Sequence, residues 1–340
     1  MLNTSGNLLT NREGQGRRLE NVIEVEGLTK SYGSILAVDH ISFKVREGEI
    51  FGFLGPNGAG KTTTIRMLTG LSRPTAGRAH VLGFDIESEM VKAKKWIGVV
   101  PEASNLYDEL SAFNNLLFMA QLYGVPRNQR RARIDELLKA FGLYERKDHL
   151  FSTFSRGMKR ALTIAAALIH SPKLLFLDEP TVGLDVVAAR YLHSLINDLR
   201  QQGVTIFFTT HYLEEADLLC NRIAILVKGR VLKIDTPEML KSVAEEESII
   251  EVSWRKMTPK IVEGLSERLP ELKVVATDHN KVRIYGGIPA HVLEEVLQYA
   301  KDGDAEIDGV NSVKPSLEDA FIKITGLSPS IMATEKGGGR

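Results

Sequence analysis

One cysteine, Cys220, stands in a chain of 340 residues. A lone thiol excludes an internal disulfide framework and a thiolate zinc site within one chain; its ordinary place is as a small buried residue. Long apolar runs are missing too. No stretch of about eighteen apolar residues exists, so no segment reads as a bilayer span. The N-terminus carries no apolar signal region, which makes a soluble cytoplasmic protein the expectation. Excess charge of one sign is also absent, with 43 Lys plus Arg against 43 Asp plus Glu. Proteins that grip nucleic acid are usually basic, so no nucleic-acid partner is expected. Sustained heptads, the mark of a long coiled coil, are not found. What is present is 43% hydrophobic residues, ample for packed cores in about two or three domains.

The most informative stretch is Gly55-Pro56-Asn57-Gly58-Ala59-Gly60-Lys61-Thr62-Thr63. A Gly, four residues, Gly-Lys and then Ser or Thr is the phosphate-loop pattern. The apolar run Ile50 to Leu54 before it reads as a buried strand, and Ile65, Met67 and Leu68 after it as the first turns of a helix. Glycines let successive N–H groups point into one concavity that suits anionic oxygens, and the helix N-terminus adds its positive end. Lys61 is placed to reach the β- and γ-phosphates, and the Thr62 hydroxyl to bind magnesium.

Around this loop the chain reads as an α/β protein. Residues 1–20 are polar and aperiodic, and 328–340 end in a glycine-rich tail; both are expected to be flexible. Val22 to Val25 suggests a strand and Leu28 to Gly33 a turn. Its Tyr32 offers a ring either for packing or for stacking on an adenine. Ile41, Phe43 and Val45 alternate as a half-buried antiparallel strand. Ile97 to Val100 is a buried strand ending at Pro101-Glu102, where a parallel sheet places ligands, although strand-end acids are often only solvated. Residues 104–171 are helical: Leu116, Met119, Leu122 and Tyr123 share one face, and Ile134, Leu137, Leu138 and Phe141 another. Phe154-Ser155-Arg156-Gly157-Met158 opens the third helix, and Ser155 fits an N-cap. Leu174 to Asp178 is a buried strand ended by adjacent acids. Asp178 suits a magnesium ion held partly through water, and Glu179 suits polarising a nucleophilic water. Gly183-Leu184-Asp185 makes a turn, and a further buried strand ends in Thr210-His211.

In this order the motifs from about Val22 to Leu240 resemble the nucleotide-binding domain of an ABC transporter. The resemblance implies that Gly55 to Thr63 and Leu174 to Glu179 are its two nucleotide motifs. It also implies that Tyr32 stacks on adenine, that His211 is the switch histidine, and that Gly183-Leu184-Asp185 is the loop that meets the partner in the dimer. Ser155 and Gly157 survive from the signature motif, at the positions that contact the partner's γ-phosphate. Two departures stand out. Glu102 replaces the usual glutamine, and Phe154, Arg156 and Met158 replace Leu, Gly and Gln of the signature. Both resemble the branch whose membrane subunits are of the ABC-2 type, which includes drug, antibiotic, sodium and lipid exporters.

The last domain reads as β-α-β-β-α-β, the ferredoxin-like order. Its elements are a strand over 248–254, a helix entered through Thr258-Pro259, strands over 272–277 and 282–285 joined through Asp278-His279-Asn280, a helix marked by Val292, Leu293, Val296 and Leu297, and a weak strand over 306–310. Ser316-Leu317-Glu318-Asp319 opens a last helix with capping-box spacing. The fold class expected is therefore α/β: a P-loop NTPase domain of ABC type over 21–240, with a helical subdomain over about 104–171, plus a small α+β domain over 246–327. The resemblance implies an ATPase using ATP and Mg2+ that closes as a homodimer and powers a separate ABC-2 type transmembrane subunit from the inner face of the membrane. The rival is a soluble ABC-type ATPase of translation or DNA repair. The single phosphate loop, the missing coiled coil and the lone cysteine weigh against it.

Overall fold

The computed structural model of the protein describes residues 20–244, 248–278, 280–303, 305–327 and 332. The expected leader and tail lie outside these residues, save Glu20 and Met332. The chain forms two compact units, divided between Ile234 and Asp235.

In the first unit, β1 (Asn21–Tyr32) and β2 (Ile35–Arg46) form an antiparallel hairpin. In β2, Ile41, Phe43 and Val45 are buried, as their alternation predicts. Of the turn expected from Leu28 to Gly33, Leu28 to Tyr32 instead continue β1, and only Gly33 lies in a turn, the one that joins β1 to β2. Gly27, at φ 58, accommodates an irregularity in the pairing, after which the strand resumes. β3 (Ile50–Leu54) is buried at every position, and α1 (Lys61–Leu68) follows the glycine-rich loop. β4 (Ala76–Val81) and β5 (Phe84–Asp85) return to the hairpin and complete a sheet in the order β2-β1-β4-β5. α2 (Met90–Ala93) then leads into β6 (Ile97–Val100).

The helical stretch comprises α3 (Ala112–Leu122), α4 (Arg127–Ala140) and α5 (Arg156–Ala167). Ile134, Leu137, Leu138 and Phe141 are buried as predicted. The face read for α3 needs correction, because Leu122 is 67% exposed. The buried stripe passes through Ala112, Leu116, Met119 and Ala120, and the helical step of about 100° per residue carries Leu122 to its edge.

Next come β7 (Leu174–Asp178), α6 (Val186–Gln201), β8 (Thr205–Thr210), α7 (Leu213–Leu219), β9 (Arg222–Val227) and β10 (Arg230–Asp235). They complete a sheet in the order β10-β9-β3-β8-β7-β6, in which β9, β3, β8, β7 and β6 run parallel. Its central strands β3, β7 and β8 are buried along their whole length, as expected of a parallel sheet covered on both faces. Phe43 of the hairpin packs on Phe51, Phe53 and Phe207, which joins the two sheets in one core. Because β3, β8 and β7 are neighbours in register, Gly55, Thr210-His211 and Asp178-Glu179 emerge together at their C-terminal ends, where such sheets bind ligands.

The second unit contains α8 (Pro237–Ser242), β11 (Ile249–Trp254), α9 (Pro259–Arg268), β12 (Lys273–Asp278), β13 (Lys281–Tyr285), α10 (Pro289–Asp302), β14 (Ile307–Ser312) and α11 (Leu317–Thr325). Its antiparallel sheet has the order β12-β13-β11-β14, so the β-α-β-β-α-β sequence closes in the ferredoxin-like way. Ile250, Val252 and Trp254 pack with Ile261, Leu265, Val292 and Val296. Leu293 and Leu297 do not join that core; they are 38% and 43% exposed. Thr258 gives no side-chain cap, so Pro259 at the first helical position starts α9 without it. Ser316 and Asp319 do form the expected capping box. His279, in the turn between β12 and β13, lies outside the described residues.

Candidate active site

The phosphate loop leaves the buried end of β3 at Gly55. A Cβ on Gly55 would lie 2.2 Å from the Leu226 carbonyl oxygen, and one on Gly60 2.6 Å from that of Ala37. Gly60 also sits at φ 107, in the left-handed region. Both positions therefore require glycine. Pro56 and Ala59 are buried, while Asn57 and Gly58 are exposed. Lys61 is only 5% exposed. Its ammonium donates to the carbonyls of Gly55 (2.5 Å) and Pro56 (3.2 Å) and pairs with Glu179 Oε1 at 2.9 Å. Thr62 and Thr63 follow in the first turn of α1, both half-buried.

The two acids at the end of β7 are buried, Asp178 to 3% exposure and Glu179 to 5%. Glu179 takes φ 47, a left-handed conformation that L residues seldom adopt. Its N–H is held by the Thr209 carbonyl (3.2 Å) and the Thr209 hydroxyl (3.0 Å). Its Oε2 meets His211 Nδ1 at 2.9 Å. Burial pushes the Glu179 carboxyl up, but the His211 hydrogen bond and the Lys61 charge outweigh it and hold the group below the usual range. Asp178 goes the other way. Burial raises it, and hydrogen bonds from Thr209 and Thr62 offset only part of that, with the charges of Glu179 and Glu102 adding to the rise. Thr62 thus acts on Asp178 directly and Glu102 only through its charge, and the side chain of Glu102 is exposed.

Sequence reasoning missed two residues that hold this arrangement. Arg160, in α5, is 8% exposed and donates to the carbonyls of Pro101 (2.7 Å), Glu102 (2.8 Å) and Glu179 (3.4 Å). It ties α5 to both the Glu102 loop and the acid pair. Burial draws its pKa down, against the attraction of Asp178 and Glu102. Thr209 donates to Asp178 Oδ1 at 2.7 Å while receiving the Glu179 N–H. The signals that could have found them were an arginine bordering the apolar run of α5 and two threonines closing a buried strand.

Ser155, Gly157 and Asp185 form a separate group. Ser155 is exposed and caps α5 through Met158 N–H at 3.3 Å, while Asp185 caps α6 through Ala188 N–H at 2.8 Å. A Cβ on Gly157 would come within 3.0 Å of that of Ala188, so the two helix starts adjoin. Val186 and Val187, beside Asp185, are 67% and 79% exposed. Tyr32 ends β1, 45% exposed, with the Lys30 ammonium 4.9 Å from its ring centre. Cys220 is buried, and burial lifts its thiol far above the ordinary value, so it is not a nucleophile.

A glycine loop between a buried strand and a helix, two buried acids on a neighbouring strand and a histidine closing on the second acid define a P-loop nucleoside triphosphatase. The ABC transporter family model matches residues 38–182. The chain is 36% identical over 307 residues to the linearmycin resistance ATP-binding protein LnrL of Bacillus subtilis, covering 90% of this chain and 98% of that one. It is 37% identical to the Nod factor export ATP-binding protein I of Mesorhizobium japonicum, covering 89% and 86% of the two chains. Among solved structures, a dimeric ATP-binding cassette in a post-hydrolysis state, bound to ADP and Pi, superposes with a TM-score of 0.58 at 27% identity, covering 63% of this chain and 98% of that one. The chain belongs to the ABC transporter family, as an ATP-binding subunit with ATPase activity.

Proposed function

We propose that this subunit powers a membrane exporter, acting as a homodimer on the inner face of the membrane with a separate transmembrane subunit of the ABC-2 type. The observation that carries this is similarity along nearly the whole chain, second unit included, to a protein named for linearmycin resistance. No helix among the described residues is long and apolar enough to cross a membrane, and in this reading the pore belongs to a separate chain. The names of resistance and export favour this reading over a translational or repair ATPase. In it, residues 21–240 form the ATPase domain, with the helical subdomain over about 104–171, and residues 246–327 an accessory domain.

The chemistry follows from the buried site. Tyr32 stacks on the adenine, and the N–H groups of Gly55 to Thr63 with Lys61 hold the phosphates. Thr62 and Asp178, near enough that the threonine hydroxyl lowers the carboxyl pKa, offer the hard oxygen ligands that suit Mg2+, with the charge of Glu102 acting on them. The ion, when bound, neutralises charge on the phosphate oxygens. Lys61 exchanges Glu179 for phosphate, which frees Glu179 Oε1 for a water. Glu179, kept ionised, takes that water's proton as general base. His211, held on the other carboxylate oxygen, fixes the orientation of Glu179 and reaches toward the γ-phosphate. Ser155, Gly157 and Asp185, with exposed Val186 and Val187, supply the surface that closes over the partner's nucleotide.

The test is purification of the tagged chain from native membranes. Recovery with a polytopic membrane subunit whose export stops on Glu179→Gln supports the proposal. Recovery with ribosomes or repair proteins, and none with a membrane subunit, sinks it. Glu102→Ala should lower export and its stimulation of ATPase while the isolated subunit still hydrolyses ATP.

A further inference from the structure

Thr210 closes β8 and is fully buried. Its hydroxyl donates to Glu215 Oε2 at 2.9 Å and accepts the backbone N–H of Tyr212 at 2.9 Å. These bonds bracket His211, the residue between them, so the hydroxyl closes a side-chain turn with His211 at its centre. A β-branched side chain has little freedom at χ1, so the direction of that hydroxyl is set by the strand. The Thr210 carbonyl faces the phosphate loop, accepting Gly55 N–H at 3.4 Å. Glu215, on α7, is 8% exposed. Its second oxygen meets His193 Nε2 of α6 at 3.2 Å. One buried carboxylate thus joins the strand end that carries His211 to the helix that Asp185 caps. For stability alone, an apolar side chain would serve that place as well or better.

We infer that Glu215 is a positioning residue for ATP hydrolysis. Through Thr210 it fixes the turn that presents the His211 imidazole to Glu179, and through His193 it makes that turn follow α6, whose N-terminus belongs to the dimer-facing group. The inference rests on the reading of His211 and Glu179 given above. It separates the roles of the two threonines that end β8: Thr209 serves Asp178 and Glu179 directly, and Thr210 serves Glu179 through His211.

The test uses the whole 340-residue chain. Turnover, ATP affinity and thermal stability are measured for Glu215→Ala, Thr210→Val, Thr210→Ser and His211→Ala. Ring-nitrogen NMR follows the His211 imidazole, identified by the signal missing in His211→Ala. Thr210→Val keeps the shape and branching but removes the hydroxyl, and Thr210→Ser keeps the hydroxyl. Glu215→Ala and Thr210→Val should each lower kcat about ten- to a hundredfold, leave ATP affinity unchanged and move the His211 signal, while Thr210→Ser keeps both near wild type. Full kcat in Thr210→Val and Glu215→Ala overturns the inference. So does a fallen kcat with an unmoved His211 signal, because the effect would then be merely structural. Wild-type turnover in His211→Ala is a distinct result: it removes the reading of His211 itself, and the inference with it.

Discussion

Lys61 Nζ lies 2.9 Å from Glu179 Oε1, in an ion pair whose side chains are 5% and 6% exposed. The two side chains therefore neutralise each other directly. In the proposed mechanism a γ-phosphate competes with Glu179 for the same ammonium. His211, on the opposite carboxylate oxygen, keeps Glu179 in place when the lysine leaves.

Glu179→Gln separates the two consequences. The amide cannot accept the water's proton, so turnover should fall on the order of 10²–10⁴-fold. It also competes poorly for Lys61, so ATP should bind at least as tightly as to wild type, and the variant should accumulate as an ATP-bound dimer. Near-normal hydrolysis would take the general-base role from Glu179; weakened ATP binding would show that the lysine is not shared.

A second prediction concerns pH. The His170 ring stacks on Tyr123 with centroids 4.0 Å apart, and its Nε2–H donates to the Ile97 carbonyl at 2.9 Å. Burial, with Arg133 nearby, pushes its pKa down from 6.5 to about 4. Between those values an unfolded chain binds a proton that the folded one refuses, so stability falls as pH drops from 6.5 toward about 4 and levels off below. The full effect is about 3 kcal/mol. His170→Gln, which keeps an N–H donor but does not titrate, should flatten the decline between pH 6.5 and 4.5. Equal slopes of Tm against pH in the two proteins would count against it.

The second unit has its own charged centre. Asp319, 1% exposed, accepts from the Tyr285 hydroxyl (2.6 Å), Arg283 (2.9 Å) and both the N–H and hydroxyl of Ser316 (2.7 and 2.6 Å). Burial alone would raise its carboxyl; the Ser316 and Tyr285 hydrogen bonds and the Arg283 charge hold it below the usual value of 3.8. That contribution is present above the unfolded value and is lost as pH falls through the lower folded one. Asp319→Asn should cost about 3 kcal/mol at neutral pH, near the low end for a broken buried pair because Arg283 retains Glu251. Chemical denaturation followed by fluorescence of Trp254, in the core of this unit, reads it. A cost below about 1 kcal/mol would mean the network is dispensable.

What was legible in the sequence was whatever is local. Gly55 to Thr63 and Asp178-Glu179 are contiguous, and two acids at the end of a buried strand are costly unless something binds them. The second unit was readable because its elements alternate cleanly in type. Arg160, Thr209, Thr210 and Glu215 were not, since each acquires meaning only from a partner elsewhere in the fold: Arg160 from Glu102, and Thr209 from Asp178. Ser155 shows the converse. Its chemistry is satisfied within its own helix as an N-cap, and only the order of the motifs around it points to anything more. Leu28 to Gly33 looked like a turn because one glycine can end a strand or merely kink it, and composition does not distinguish the two.

The decisive test is of the shared site. The hypothesis is that each ATP lies between Lys61 of one chain and Ser155 of the other. The motivation is that Lys61 sits in the buried phosphate loop while Ser155 is exposed at the start of α5, beside the exposed start of α6. Lys61→Ala removes the charge on the phosphates, and Ser155→Arg puts bulk where a partner's phosphate would lie. Each homodimer should fail to trap ATP. A mixed dimer has one site with both defects and one that pairs an intact Lys61 with an intact Ser155. With Glu179→Gln in every chain to block turnover, the intact site should trap nucleotide, at about one ATP per dimer if the two sites close independently. Occlusion reads this better than hydrolysis, because turnover can require both sites. The measurement is ATP retained by mixed dimers purified through two different tags. If these retain no more ATP than either parent, the site is not shared between chains, and Ser155 does no more than cap its own helix.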